Sequence, residues 1–296
     1  MTFKNITVAG AGVLGSQIAY QIALKGFKVT VYNHHIDTAE KRLHALKADY
    51  QHDLHLTDEE FQAGLDNIVN ITTDLKAAVA DADYVIEALP ESLDLKEKFY
   101  TELSEVAPAK TVFASNSSSF IPGQLVKYVD RPNKYLHMHF ANKIWRFNVA
   151  EIMGTNQTDP AVYQEVVDFA RAIGMVPIEL HKEQHGYVLN AVLIPLLGSA
   201  MQLWANGVSD PQTIDKDWMI STSSPMGPFM IIDMVGLRTP YQMEINTYQT
   251  TKDPIHQTIA DKLKSMIDAG HTGQESGQGF YHYPNPEFED PEFLKK

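Results

Sequence analysis

The chain has 296 residues, with 24 Lys and Arg against 37 Asp and Glu and a formal charge of −13, which at roughly 150 residues per domain suggests two domains with ample core. An acidic balance without a basic run argues against nucleic acid or an anionic membrane as a partner, since both are bound through clustered Lys and Arg. The absence of Cys excludes disulfides, thiolate nucleophiles and Cys-ligated metals, and agrees with a reducing cytoplasm.

The chain opens without a charged leader and apolar core, so no secretion signal is expected. The β-branched run Ile6, Thr7, Val8, Ala9 leads into Gly10-Ala11-Gly12-Val13-Leu14-Gly15, and Ile18, Ala19, Ile22 and Ala23 follow at helical spacing. Lys25-Gly26-Phe27 ends that helix, and Val29 to Tyr32 reads as a second buried strand. This is a βαβ unit, so a parallel sheet is expected.

Residues 38–65 look helical, with Thr57 capping a helix start that Glu60 closes as a capping box. Further strand-like runs occur at 84–86, 111–114 and 176–179, separated by helical patterns at 94–106 and 161–173. The alternation predicts a doubly wound domain over the first part of the chain. Beyond His185 and Gly186, apolar helical stretches take over and strand signals cease. The most apolar stretch, 186–201, contains Asn190 and Pro195 and falls short of the ~20 apolar residues of a membrane helix. The Pro-rich end, 284–296, reads as a loose tail.

A Gly-x-Gly-x-x-Gly run is a weak signal alone. Here it follows a strand, opens a helix and precedes a second strand ending at Asn33, 18 residues beyond Gly15, which is the dinucleotide fingerprint. Gly10 allows the tight turn, Gly12 lets backbone approach a pyrophosphate, Gly15 lets helix pack on strand, and the helix N–H groups meet the negative charge. Asn33 stands where the fingerprint expects an acid. An amide keeps hydrogen bonding to the ribose and loses the repulsion of a 2′-phosphate. The reading favours NAD with NADP use not excluded; His34 and His35 have no neighbouring Arg in sequence.

Together with the fingerprint, the segments Glu87-Ala88-Leu89-Pro90-Glu91-Ser92, Ala114-Ser115-Asn116-Ser117-Ser118-Ser119, His139-Phe140-Ala141-Asn142 and Pro225-Met226-Gly227-Pro228-Phe229 give a chain that resembles the L-3-hydroxyacyl-CoA dehydrogenase family over nearly its whole length. It is most similar to the diketoreductase branch, through Gly12 to Gln17, Pro90 to Lys96 and Gly174 to Leu180. The resemblance implies a Rossmann-type NAD-binding domain with a doubly wound parallel sheet over residues 1–184, then an all-α substrate and dimerisation domain over 185–296.

It also implies site residues. His139 matches the catalytic base, a role that suits imidazole because its free pKa lies near neutrality. Glu151 matches the carboxylate that fixes the imidazole tautomer, at the end of the strand-like run 147–150. Ser118 and Asn190 match donors to the substrate oxygen. Gly10, Gly12, Val13, Leu14, Gly15, Asn33, Glu91, Lys96, Asn116, Ser118 and Asn142 fall on cofactor-side positions, Lys96 and Glu91 near the nicotinamide ribose. No metal is implied.

Residues 45–66 offer only Lys47 against Asp49, Asp53, Asp58, Glu59, Glu60 and Asp66, a surface that would repel the anionic CoA nucleotide. The basic pair Lys143 and Arg146 beside the His139 motif is either a small-acid substrate contact or a solvated turn. The expectation is therefore an NAD-dependent oxidoreductase interconverting 3-hydroxyacyl and 3-oxoacyl groups, with small non-CoA 3-oxo acids or diketo esters as the alternative substrates. A non-catalytic NAD(H)-binding protein is the remaining alternative. A cytoplasmic homodimer pairing through the C-terminal domain is expected.

Overall fold

The computed structural model describes residues 3–295, and the chain divides into two units, Met1–Leu189 and Asn190–Lys296. The boundary expected at 184/185 lies slightly earlier in the chain.

In the first unit β1 (Asn5–Ala9), α1 (Val13–Leu24) and β2 (Lys28–Tyr32) form the βαβ start. There follow α2 (Ile36–Leu54), α3 (Asp58–Leu65), β3 (Ile68–Thr72), α4 (Leu75–Val79), β4 (Tyr84–Glu87), α5 (Leu93–Val106), β5 (Val112–Ser115), α6 (Pro122–Leu125), β6 (Tyr135–Phe140), β7 (Val149–Gly154), α7 (Pro160–Ala172) and β8 (Val176–Leu180). The eight strands make one sheet in the order β3-β2-β1-β4-β5-β6-β7-β8. The order reverses between β1 and β4, and in such sheets the carboxyl ends of the strands flanking the reversal form the ligand crevice. One buried cluster joins α1, α2 and α7 to one side of the sheet, including Ile18, Leu43 and Val166. A second joins α4 and α5 to strand residues Val85 and Phe113.

The region expected to be helical over 38–65, with a helix start at Thr57, is two helices, α2 and α3. His55, in left-handed conformation at φ 57°, ends α2. Thr57 Oγ1 then accepts from Glu60 N–H at 3.2 Å while Glu60 accepts from Thr57 N–H at 2.8 Å, the capping box read from the sequence. The sheet is also not wholly parallel: β6 and β7 pair antiparallel. The strand carrying Glu151 runs to Gly154, so Glu151 sits within β7 rather than at its end.

The second unit contains α8 (Leu189–Ala205) from its second residue on, α9 (Pro211–Thr222), α10 (Pro228–Val235), α11 (Arg238–Thr251) and α12 (Pro254–Asp268). Their core includes Met201, Phe229, Ile232, Ile259 and Leu263. Buried Asp215 on α9 accepts from the N–H groups of Phe229 and Met230 at 2.8 and 3.0 Å and from the Tyr281 hydroxyl at 2.8 Å. It thereby satisfies donors that the first turn of α10 leaves free. The expected loose tail is instead packed, because Phe288 and Phe293 set their rings edge-on against buried Tyr281. Among the described residues no helix is long and apolar enough to cross a membrane.

Candidate active site

The glycine loop runs from β1 into α1 beside the loop that leaves β4. Gly10 has φ +102°, and a Cβ there would lie 2.6 Å from Ala88 O, so the close approach of the two loops demands glycine. A Cβ on Gly12 would meet only Arg42 Nη1, at 3.7 Å, and so would project into open space above the loop. That space is a cleft of about 520 Å³ whose lining includes Gly12, Asn33, Glu91, Asn116 and Ser118. The first turn of α1 carries no acidic residue, and its unpaired N–H groups favour an anion. Backbone cradle, helix end and position at the reversal of strand order fit a dinucleotide.

His139 and Glu151 are twelve residues apart in sequence and directly opposed on β6 and β7. Antiparallel register puts both side chains on one face, and His139 Nδ1 lies 3.0 Å from Glu151 Oε2. Both residues are buried. The other carboxylate oxygen accepts from the Val188 and Leu189 N–H groups at 2.8 and 3.0 Å. Burial alone would raise the Glu151 pKa, but the hydrogen bonds from His139, Leu189 and Val188 outweigh it and hold the group below its ordinary value. A carboxylate only accepts, so Nδ1 carries the proton. Nε2 is left as the basic nitrogen, 2.9 Å from Ser118 Oγ. Ser118 lines the cleft and therefore links it to the imidazole.

Two neighbours of this pair escaped sequence reasoning. The Tyr187 ring stacks on His139 with centroids 4.3 Å apart and planes 12° from parallel. Tyr187 has φ 55°, an uncommon conformation for a bulky residue, and its hydroxyl donates to Ser117 O at 2.6 Å. The hydroxyl consequently accepts from His137 Nδ1 at 2.9 Å, and His137 Nε2 accepts from the Tyr135 hydroxyl at 3.0 Å. Burial, then the charges of Lys96 and His139, push the pKa of His137 well below the ordinary value. His137 is thus a neutral prop behind Tyr187. The alternation of polar and apolar residues along β6 gave no sign of it, because both histidines are buried.

Lys96, which the resemblance puts near the nicotinamide ribose, is set back behind the cleft lining. Its side chain is wholly buried, does not line the cleft, and binds Glu87 at 2.5 Å, with Glu91 3.8 Å away. Glu87 is further held by Leu89 N–H, the Tyr100 hydroxyl and Ser115 Oγ. Glu91 accepts from Ser117 Oγ and Ser118 N–H, so this network positions Ser118. Asn116 lines the cleft and accepts from Phe140 N–H, tying the loop after β5 to β6.

Asn33 lines the cleft, but its side chain is engaged: Oδ1 accepts from Ala11 N–H at 3.0 Å and Nδ2 donates to His35 O at 2.8 Å. The sequence showed no neighbouring Arg, yet Arg42, from farther along α2, also lines the cleft and donates to Ala11 O at 3.1 Å. Val13 and Leu14 lie in the lining. Asn142, Lys143 and Arg146 do not. Asn142 Oδ1 lies 3.5 Å from Gln17 Nε2, Lys143 is exposed at φ 58°, and Arg146 lies over the Phe147 ring. Asn190 is the first residue of the second unit, covalently joined to Leu189, whose N–H holds Glu151.

A family model described as 3-hydroxyacyl-CoA dehydrogenase, NAD binding domain, matches residues 5–184, and the corresponding C-terminal domain matches 186–283. A probable 3-hydroxybutyryl-CoA dehydrogenase from Bacillus subtilis is 30% identical over 96% of this chain and 98% of its own. The human mitochondrial hydroxyacyl-coenzyme A dehydrogenase is 28% identical over 95% and 91%. Among solved structures, a diketoreductase described as acting on dicarbonyl compounds is 51% identical with a TM-score of 0.90, over 96% of this chain and all of its own.

Proposed function

The chain belongs to the 3-hydroxyacyl-CoA dehydrogenase family, and we propose that this NAD-dependent oxidoreductase interconverts a 3-hydroxy and a 3-oxo group with His139 as proton acceptor and donor. The observation that carries the reading is the chain Glu151–His139–Ser118, which starts on a buried carboxylate and ends in the cleft. A bound nicotinamide supplies or takes the hydride. His139 Nε2 takes the hydroxyl proton in oxidation and returns it in reduction, while Glu151 orients the ring and stabilises its charged form. Ser118 and Asn190 are the proposed donors to the substrate oxygen. Glu91 and Asn116 are proposed to shape the cofactor side of the cleft, and Lys96 to act on that side only through Glu87 and Glu91.

His139→Gln is expected to bind NADH like the parent and to lose at least ~10² in turnover, the usual contribution of a general acid or base. Unchanged turnover would remove His139 from the mechanism. If the parent chain binds NADH and turns over no 3-oxo compound, the non-catalytic reading is correct.

A second reading, reduction of small non-CoA 3-oxo acids or diketo esters, is favoured by the 51% identical diketoreductase and by charge. Lys47, the lone Lys or Arg between residues 45 and 66, is paired with Asp58 at 2.8 Å. Lys143 or Arg146 would then meet a substrate carboxylate. Parallel NADH oxidation with acetoacetyl-CoA, free 3-oxo acids and a 3,5-diketo ester separates the substrates. Preference for acetoacetyl-CoA would overturn the charge argument.

We further propose a homodimer joined through the second unit, supported by Val192, Val208 and Ile220, which are 67%, 67% and 57% exposed. A cytoplasmic location is part of the same reading, supported by the absence of Cys.

A further inference from the structure

We propose that the adenosine end of the cleft accepts a 2′-phosphate on Arg42, so that the enzyme binds NADPH as well as NADH. The inference rests on the reading of the cleft as a dinucleotide site. An NAD-selective cleft places a carboxylate after the second strand, where it binds the ribose hydroxyls and repels a phosphate; an Arg nearby does the reverse. Here that position is Asn33, and its amide is built into the turn in a way that a carboxylate could not copy. Its oxygen accepts from Ala11 N–H, as a carboxylate would, but its nitrogen donates to His35 O. The amide therefore fixes the His34–His35 turn that leads into α2.

The surroundings carry the same charge bias. Although the chain is strongly acidic, the cleft lining contains a single carboxylate, Glu91, which lies on the loop after β4 and is engaged by Ser117 and Ser118. The lining contributed by the β2–α2 loop and the first turns of α2 is Asn33, His34, His35, Thr38 and Arg42. Arg42 forms no ion pair among the described residues, and its one hydrogen bond there, from Nη1 to Ala11 O, holds the guanidinium against the glycine loop. The rest of the fork remains available for phosphate oxygens, which guanidinium groups bind with charge-assisted bonds. The Thr38 hydroxyl is a further donor, and either histidine adds charge when protonated.

Titrating the full chain with NADH and with NADPH, followed by the fluorescence of the reduced nicotinamide, tests this without turnover. NADPH is expected to bind with a Kd no more than about tenfold above that of NADH, a difference of about 1.4 kcal/mol. Arg42→Gln is expected to raise the NADPH-to-NADH ratio of Kd values at least about tenfold, the scale of one charge-assisted contact. Asn33→Asp should raise the ratio too, by repulsion, with Arg42 intact. A larger gap in the parent protein, or an unchanged ratio in Arg42→Gln, overturns the proposal while leaving NADH binding to stand. If neither nucleotide binds, the reading of the cleft falls with it.

Discussion

At the scale of single residues, buried polar groups dominate what can be tested. Tyr187→Phe keeps the ring on His139 but leaves His137 Nδ1–H without an acceptor and Ser117 O without that donor. A loss of about 1–3 kcal/mol in denaturant unfolding is expected, with turnover falling far less than in His139→Gln. Lys96→Met strands the wholly buried Glu87 carboxylate, and a cost of about 3–5 kcal/mol is expected. Adding Glu87→Gln should recover part of it, and strict additivity of the two changes would mean that the pair is not coupled. Glu151 gives a pH prediction. Its pKa is depressed on folding, so its contribution is present above the unfolded value of 4.5 and is lost as pH falls through the lower folded value. Glu151→Gln should flatten that acid limb of stability. His139 and its partner were legible because an ordered set of motifs marks them. Lys96 was not: a charge on an amphipathic helix normally faces water, and only the fold brings Glu87 beneath it.

Elements with strong local chemistry were the readable ones. The capping box at Thr57 and the strand–glycine–helix start depend on neighbours in sequence. β6 depends on non-local pairing, and the run Tyr135-Leu136-His137-Met138-His139-Phe140 hides a fully buried strand behind two imidazoles. In the second unit, Asp215 joins α9, α10 and Tyr281. Burial pushes its carboxyl up to about 6, against the pull of its donors at Phe229, Tyr281 and Met230. The folded state thus holds this proton more tightly than the unfolded chain. The group stabilises fully below 3.8 and less as pH rises through about 6. Comparing melting of the parent and Asp215→Asn between these values should show the parent's relative stability declining. A constant difference would contradict the shift.

For the whole molecule, the change from alternating strands to continuous helix was visible in hydrophobic pattern alone, whereas the packing of the tail was not, since Phe288 and Phe293 find Tyr281 only in three dimensions. Sedimentation at micromolar concentration is expected to show twice the chain mass, and Val192→Glu to shift it toward the single chain. A parent protein that sediments as one chain would refute the pairing. The stack of Tyr187 on His139 bears on stereochemistry. One edge of the imidazole is locked to Glu151 and one face is covered, so Nε2 beside Ser118 is the single exit for a proton. With the proposed hydride coming from the nucleotide cleft and the carbonyl oxygen at Nε2, a prochiral ketone keeps two poses that differ by exchange of its substituents and give opposite alcohols. The enantiomeric ratio, read by chiral chromatography of the product, therefore measures how far the rest of the pocket tells those substituents apart.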